Sequence, residues 1–324
     1  METYQIETDD GWRIHLHRYP PAAGSPGAPV LFVHGMGANR YNFDLNPRHS
    51  LAQHTAGAGF DAWVIELRGR GKSPVPPGAV ADWDFEDFLH RDLRRAVALV
   101  RERTGRPLHW VGHSMGGMLG VAYAEIYGQD DLCSLVLFAT PLVFGRRQWL
   151  IKAWGWMAQV HRVLPTMDQE RWGRRALPLM QRSSRALDFF LRYLANPDNV
   201  DDETVRELFH KLVTNEASRI ILQFSDWVRS GEFRSADRSF SYSAHLGRVS
   251  LPCLFISGVS DRMAPPRYTR RQVERLGSRQ VEQIELGRAQ GFSIDYGHGD
   301  MVVGKQAARE VFPLVVDWLR RRSG

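Results

Sequence analysis

Residues 108–127 read LHWVGHSMGGMLGVAYAEIY, and the order of residue types in this stretch decides the fold. Leu108, Trp110 and Val111 form a short apolar run of the kind buried in a central strand. Leu119, Ala122 and Tyr123 then recur at helical spacing. Between the two stands Gly112-His113-Ser114-Met115-Gly116, a serine on a tight strand-to-helix turn. A turn that sharp has little room for neighbouring side chains, and Gly112, Gly116 and Gly117 bring none. The first amides of the helix face any oxygen that becomes negative beside Ser114.

The same alternation extends outward. Val30–Val33 is a continuous apolar run, typical of a strand covered on both faces, and it ends in His34-Gly35-Met36-Gly37. Glycine there lets the backbone approach a ligand and leaves the Met36 amide free to donate. Paired with the serine turn, that amide is the expected second half of an oxyanion hole. Phe60–Ile65 is the next buried strand, followed by Glu66-Leu67-Arg68-Gly69-Arg70-Gly71-Lys72-Ser73. The closing Gly-Lys-Ser is not a phosphate loop, because position 66, where that motif needs glycine, is glutamate. Phe85–Arg103 carries a helical apolar face, and Leu132–Phe138 is a further strand. At the N-terminus, Tyr4–Thr8 and Trp12–Tyr19 form a hairpin around Asp9-Asp10-Gly11. Trp12, Ile14 and Leu16 share one face of the second strand. His15 and His17 fall on the other and read as the exposed face of an edge strand rather than a metal site. Strands alternating with helices predict the α/β class, a mostly parallel sheet flanked by helices.

The rhythm stops between Leu142 and Leu246, where only helical patterns appear: 148–163, 169–180, 187–195, 202–213 and 219–230. Aromatics crowd this segment, among them Trp149, Trp154, Trp156, Trp172, Phe224 and Trp227. A helical insertion between two sheet strands reads as a lid. Most of its aromatics are expected to pack its own core, with a minority facing Ser114 as an apolar acyl pocket. The sheet resumes at Leu251–Ser257 and ends in Gly258-Val259-Ser260-Asp261. A helix at Tyr268–Leu276, a strand at Val281–Leu286, a loop holding Asp295-Tyr296-Gly297-His298-Gly299-Asp300 and a closing helix at Gln306–Arg320 follow. The chain thus divides into a core (1–141), a cap or lid (142–246) and the rest of the core (247–324).

Composition excludes several classes. The 324 residues carry a net charge of +6, but the arginines are scattered and often lie beside acids. No basic run with interleaved aromatics makes a nucleic-acid footprint. Cys133 and Cys253 sit in apolar strand-like runs and read as core thiols, without disulfide or metal spacing. No signal-peptide pattern opens the chain and no stretch approaches the roughly 18 apolar residues of a membrane helix, so a reducing, cytoplasmic setting is expected.

A serine hydroxyl needs a base to become a nucleophile, and a histidine base needs a carboxylate to fix its tautomer. In sheets of this kind, active groups gather at the carboxyl ends of strands. That rule selects Asp261 and His298. Asp295 and Asp300 read as caps of the glycine loop around His298. His113 reads as a packing neighbour, and His34 as a brace for the turn at Gly35.

The blocks HGMG (34–37), ELRGRGKS (66–73), GHSMGG (112–117), GVSDRMAPP (258–266) and DYGHGD (295–300) resemble, in this order, those of the α/β-hydrolase superfamily. The resemblance covers essentially the whole chain, and residues 34–71 are most similar to bacterial relatives of acid-lipase-type hydrolases, the esterase or lipase-like branch. It implies an α/β-hydrolase fold with an inserted helical lid. It implies Ser114 as nucleophile, His298 as base and Asp261 as orienting acid. The amides of Met36 and Met115 would form the oxyanion hole, with His34, Gly35, Gly112 and Gly116 in support, and neither metal nor cofactor is required. Glu66 stands where many relatives carry aspartate and is expected to affect loop packing. Serine at 114 speaks against the aspartate nucleophile of dehalogenases and epoxide hydrolases. The expected activity is hydrolysis of a small-molecule carboxylic ester with a lipophilic acyl group, through an acyl-enzyme. A thioesterase or acyltransferase would use the same triad. A third reading, a non-catalytic binding protein on a hydrolase fold, fits poorly with an intact set of Ser, His, Asp and oxyanion elements.

Overall fold

The computed structural model describes residues 1–22, 27–144 and 192–323, and the backbone of 166–167. Its main sheet has eight strands: β1 (Glu2–Glu7), β2 (Arg13–Tyr19), β3 (Pro29–Val33), β4 (Asp61–Glu66), β5 (Leu108–His113), β6 (Leu132–Phe138), β7 (Cys253–Gly258) and β8 (Val281–Leu286). Their order across the sheet is β1-β2-β4-β3-β5-β6-β7-β8. β1 and β2 form the expected antiparallel hairpin, β2 runs antiparallel to β4, and every pairing from β4 to β8 is parallel. The central strands are buried end to end, which is why they read as unbroken apolar runs.

The pleat divides those runs between two cores. Leu31, Val33, Trp63, Ile65 and Trp110 face one side, where α2 (Arg94–Thr104) and α3 (Met115–Tyr127) pack. Val30, Phe32, Val64 and Val111 face the other, covered by α1 (Leu51–Gly57) and the closing helix (Phe312–Arg322). Ser50 caps α1 by accepting from the Gln53 amide. The closing helix is broken in two, Ala307–Glu310 and Phe312–Arg322, because Pro313 cannot donate to a preceding turn and so sits in the first turn of a new helix.

β2 is not an edge strand. It lies between β1 and β4, so His17 is buried, with Nε2 3.1 Å from Glu66 Oε2 and Nδ1 3.1 Å from Thr3 Oγ1. The exposed-face reading of His17 therefore fails. Glu66 earns its place by packing: beyond His17, it accepts from the Lys72 amide at 2.8 Å, and a Cβ at Gly71 would run into its carboxylate. Among the described residues, no group of three His, Cys, Asp or Glu is arranged to hold a metal. Cys133 and Cys253 are both free thiols, half-buried and buried.

Of the helical segment, 148–163, 169–180 and most of 187–195 lie outside the described residues, with Trp149, Trp154, Trp156 and Trp172. The later helices are present as Asp202–Glu207, a π-helical continuation Leu208–Leu212, and Ser218–Ser230. A two-residue strand, Glu216–Ala217, pairs with Thr166–Met167. The helices-only reading missed it, since two residues carry no period. Phe224 and Trp227 pack against each other at 4.6 Å, and Trp227 meets Phe85 and Phe233 at 5.4 and 4.9 Å. They belong to the core and not to a pocket wall. Among the described residues no helix is long and apolar enough to cross a membrane.

One buried group makes stability depend on pH. Glu125, on α3, is 6% exposed, and among the described residues neither carboxylate oxygen has a hydrogen-bond partner. Burial pushes its carboxyl up to about 8 from 4.5. Across that window the folded protein keeps a proton that the unfolded chain releases, so stability falls as pH rises, by an amount on the order of several kcal/mol. Glu125→Gln is expected to flatten this dependence. Thermal melts at about pH 6 and about pH 9 check it: a drop as large in the variant as in the wild type would place the cause elsewhere.

Candidate active site

Ser114 sits between β5 and α3 with φ 53° and ψ −116°, a conformation that costs a residue with a Cβ of order 1–3 kcal/mol. Its neighbours hold it there. The Ser114 amide donates to Phe138 O at 2.8 Å, and its carbonyl accepts from the amides of Gly117 and Met118 at 3.0 and 3.2 Å. A Cβ at Gly116 would run into the carbonyl of Val33, and one at Gly112 into the backbone of Gly116. Gly116→Ala is therefore expected to cost about 3 kcal/mol or more in urea unfolding, against under 1 kcal/mol if the turn could relax.

His298 and Asp261 come from the loops after β8 and β7. These loops lie against each other: the Ser260 amide donates to Tyr296 O at 2.9 Å. His298 Nδ1 donates to Asp261 Oδ2 at 2.9 Å, and both residues are buried. The other Asp261 oxygen, Oδ1, accepts from the amides of Met263 and Ala264 at 2.7 and 2.8 Å. A carboxylate at Nδ1 leaves Nε2 as the unprotonated nitrogen, the one able to take a proton. Among the described residues no hydrogen bond joins Ser114 Oγ to His298, a looseness common before substrate binds.

The turn at 34–37 presents one amide. Gly35 N is taken by Asn42 Oδ1 at 3.1 Å and Gly37 N by Glu216 Oε2 at 3.1 Å. Met36 N, between them, has no acceptor among the described residues. On the other side of Ser114, Met115 opens α3, and no side chain caps that helix start. His34 braces the turn: Nδ1 donates to Gly35 O at 2.9 Å, and Nε2 accepts from the Leu67 amide at 3.3 Å. Burial pushes His34 down to about 4, so it stays neutral in this role. The residues selected from the sequence thus lie beyond the carboxyl ends of β3, β5, β7 and β8.

The family model described as serine aminopeptidase, S33, matches residues 24–288. The chain belongs to this family. Its fold is that of the α/β-hydrolase superfamily. A soluble variant of monoglyceride lipase from Saccharomyces cerevisiae, solved with a substrate analogue, is similar in fold, with a TM-score of 0.69 at 16% identity over 100% of this chain and 96% of that one. The poly(3-hydroxyalkanoate) polymerase subunit PhaC of Haloferax mediterranei is 24% identical over 91% of this chain and 59% of its own length. Human gastric triacylglycerol lipase is 33% identical over 37% of this chain and 33% of its own. The chain therefore spans well under two thirds of these two relatives.

In this family member the rival groups take supporting places. His113 Nε2 lies 3.0 Å from His298 O and Nδ1 3.0 Å from Asn42 Oδ1. Burial, and then the neighbouring His298, hold His113 down at about 3. Asp300 Oδ1 accepts from the amides of Gly297 and Asn196 at 2.8 and 2.9 Å, and Oδ2 from Asn199 at 2.8 Å. Asp295 accepts from the Arg288 amide. Both cap the loop that carries His298. A cavity of about 670 Å³ borders Asp261 from the outside, but Arg192, Arg262, Arg267 and Arg288 line it, and neither Ser114 nor His298 does. It is not an apolar acyl pocket.

Sequence reasoning missed Asn42, Arg70 and Glu216. Arg70 and Glu216 are both buried and ion-paired, 146 positions apart. The one local sign was the Arg-Gly-Arg-Gly run (68–71) after a strand, which by itself names no partner.

Proposed function

We propose that this protein is a serine hydrolase that cleaves carboxylic esters with a lipophilic acyl group. The observation that carries the proposal is His298, its Nδ1 2.9 Å from Asp261 Oδ2 and its backbone oxygen 3.0 Å from His113, the residue before the strained Ser114. In the proposed reaction His298 takes the Ser114 proton as Oγ attacks the acyl carbonyl. The amides of Met36 and Met115 hold the resulting oxyanion, each worth about 3 kcal/mol to the barrier. His298 protonates the leaving alcohol, and water, activated in turn by His298, releases the acid from the acyl-enzyme. Each step uses only these side chains, two amides and water.

The names of similar proteins support the acyl chemistry: a gastric triacylglycerol lipase and a monoglyceride lipase. Residues 142–246 serve in this proposal as the lid that shapes the acyl site. The likeness to a poly(3-hydroxyalkanoate) polymerase subunit over 91% of the chain favours a second reading, acyl transfer through the same acyl-enzyme. A chain-length panel of nitrophenyl esters, run beside acyl-CoA thioesters and aminoacyl nitroanilides, tests the proposal. Medium or long acyl esters are expected to give the highest kcat/KM. A strong preference for acetyl esters would remove the lipophilic part. Turnover confined to thioesters or to anilides would replace the ester reading.

A further inference from the structure

We propose that Glu216 is a positioning residue for the oxyanion hole, holding the Met36 amide in place from the inner edge of the 142–246 segment. The inference rests on the serine-hydrolase reading above. Glu216 is 1% exposed, and every polar group around its carboxylate is a donor. Oε2 accepts from the Gly37 amide at 3.1 Å. Oε1 accepts from Arg70 Nη2, from Trp83 Nε1 at 3.3 Å and from its own neighbour Ala217 N at 3.1 Å. Arg70, itself fully buried, also donates to Asn215 O. The next residue back, Thr214, completes the grip: its amide donates to Gly37 O at 2.9 Å and its hydroxyl to Ala38 O at 3.3 Å.

Gly37 is therefore held on both sides, by Glu216 at its nitrogen, in the Met36–Gly37 peptide, and by Thr214 at its oxygen, in the Gly37–Ala38 peptide. Gly35 is held at its nitrogen by Asn42. Met36 N is the free amide between two fixed ones. Glu216 anchors the Met36–Gly37 peptide, and turning it would shift the adjoining Gly35–Met36 peptide, which bears the Met36 N–H and whose oxygen His34 holds, so Glu216 acts on the oxyanion through the turn without touching it. A buried charge needs its counter-charge, and Arg70 in the loop after β4 supplies it. These contacts tie the turn after β3 and the loop after β4 to residues 214–217.

Glu216→Gln tests this. The amide is nearly isosteric, but its NH2 must face either three donors or one. Turned toward the single donor, it opposes Gly37 N. On a nitrophenyl ester, kcat is expected to fall 10- to 100-fold with KM nearly unchanged, somewhat less than the 10²–10³ lost when an oxyanion donor is deleted. Affinity for a trifluoromethyl ketone, which forms the oxyanion, is expected to fall by the same factor as kcat. Tyr242→Phe removes a hydrogen bond to Glu86 in which Glu216 takes no part and is expected to change kcat less than threefold. Where Glu216→Gln does not fold, Glu216→Asp keeps the charge for Arg70 and gives up reach to Gly37, and the same fall in kcat is expected. Unchanged kcat in a folded Glu216 variant, a rise in KM alone, or an equal loss in Tyr242→Phe would overturn the proposal. Failure of the parent reading looks different, because the wild type itself would then turn over no ester.

Discussion

Asp261→Asn is expected to lower kcat by about four orders of magnitude while leaving the thermal midpoint nearly unchanged. The size follows from the donors around the carboxylate. Asp261 Oδ1 accepts from two backbone amides, Met263 N and Ala264 N, and Oδ2 accepts from His298 Nδ1. Asparagine must keep its one oxygen where two fixed N–H groups point. Its NH2 is then turned toward His298 and donates to Nδ1. The imidazole is forced into the opposite tautomer, with the proton on Nε2, and can no longer accept from Ser114. Fold is preserved because the two amides remain satisfied. Steady-state kinetics beside a thermal melt check both halves. If Asp295→Asn gives the large loss and Asp261→Asn does not, the acid is misassigned. Asp295 is expected to matter only for the loop, since it accepts from the Arg288 amide.

Ser114→Ala is expected to reduce kcat by about 10⁶-fold, to the residue left by substrate binding and the oxyanion amides. Stability should barely move, because alanine meets the same φ of 53° as serine. Ser114→Gly should match it in activity loss and unfold at higher urea, by about 1 kcal/mol, because glycine accepts positive φ without strain. That pairing of lost activity with gained stability marks a backbone strained for function. A glycine variant no more stable than the alanine one would show that the turn is relaxed.

The parts of this site that were legible in the sequence are those set by neighbours in the chain. Gly112 and Gly116 announce the turn at Ser114 because their spacing around the serine is local, and at Gly112 the crowding is too, coming from the Gly116 backbone; the carbonyl that leaves Gly116 no room for a Cβ belongs to Val33 on β3. His298 and Asp261 could be chosen because strand ends can be counted from periodicity, and the sheet places them side by side. His34 was read as a brace from its place before Gly35, and its ring meets Gly35 O and the Leu67 amide. What was not legible depends on which strand lies beside which. His17 falls on the polar face of its strand in the sequence, yet β4 lies beside that strand in the sheet and supplies Glu66 to the same face. No pattern links Arg70 to Glu216 across 146 positions, because a buried ion pair has no period. Nothing in the Arg68-Gly69-Arg70-Gly71 run shows that both arginines are almost wholly buried.

The central claim is that Ser114 is the nucleophile. Incubation of the full-length protein with a fluorophosphonate, followed by peptide mapping by mass spectrometry, tests it directly. One phosphonate is expected per chain, on Ser114, with none on the folded Ser114→Ala variant and slow labelling of Asp261→Asn. Folded wild-type protein that takes up no label, or label on another residue that persists in Ser114→Ala, would contradict the account.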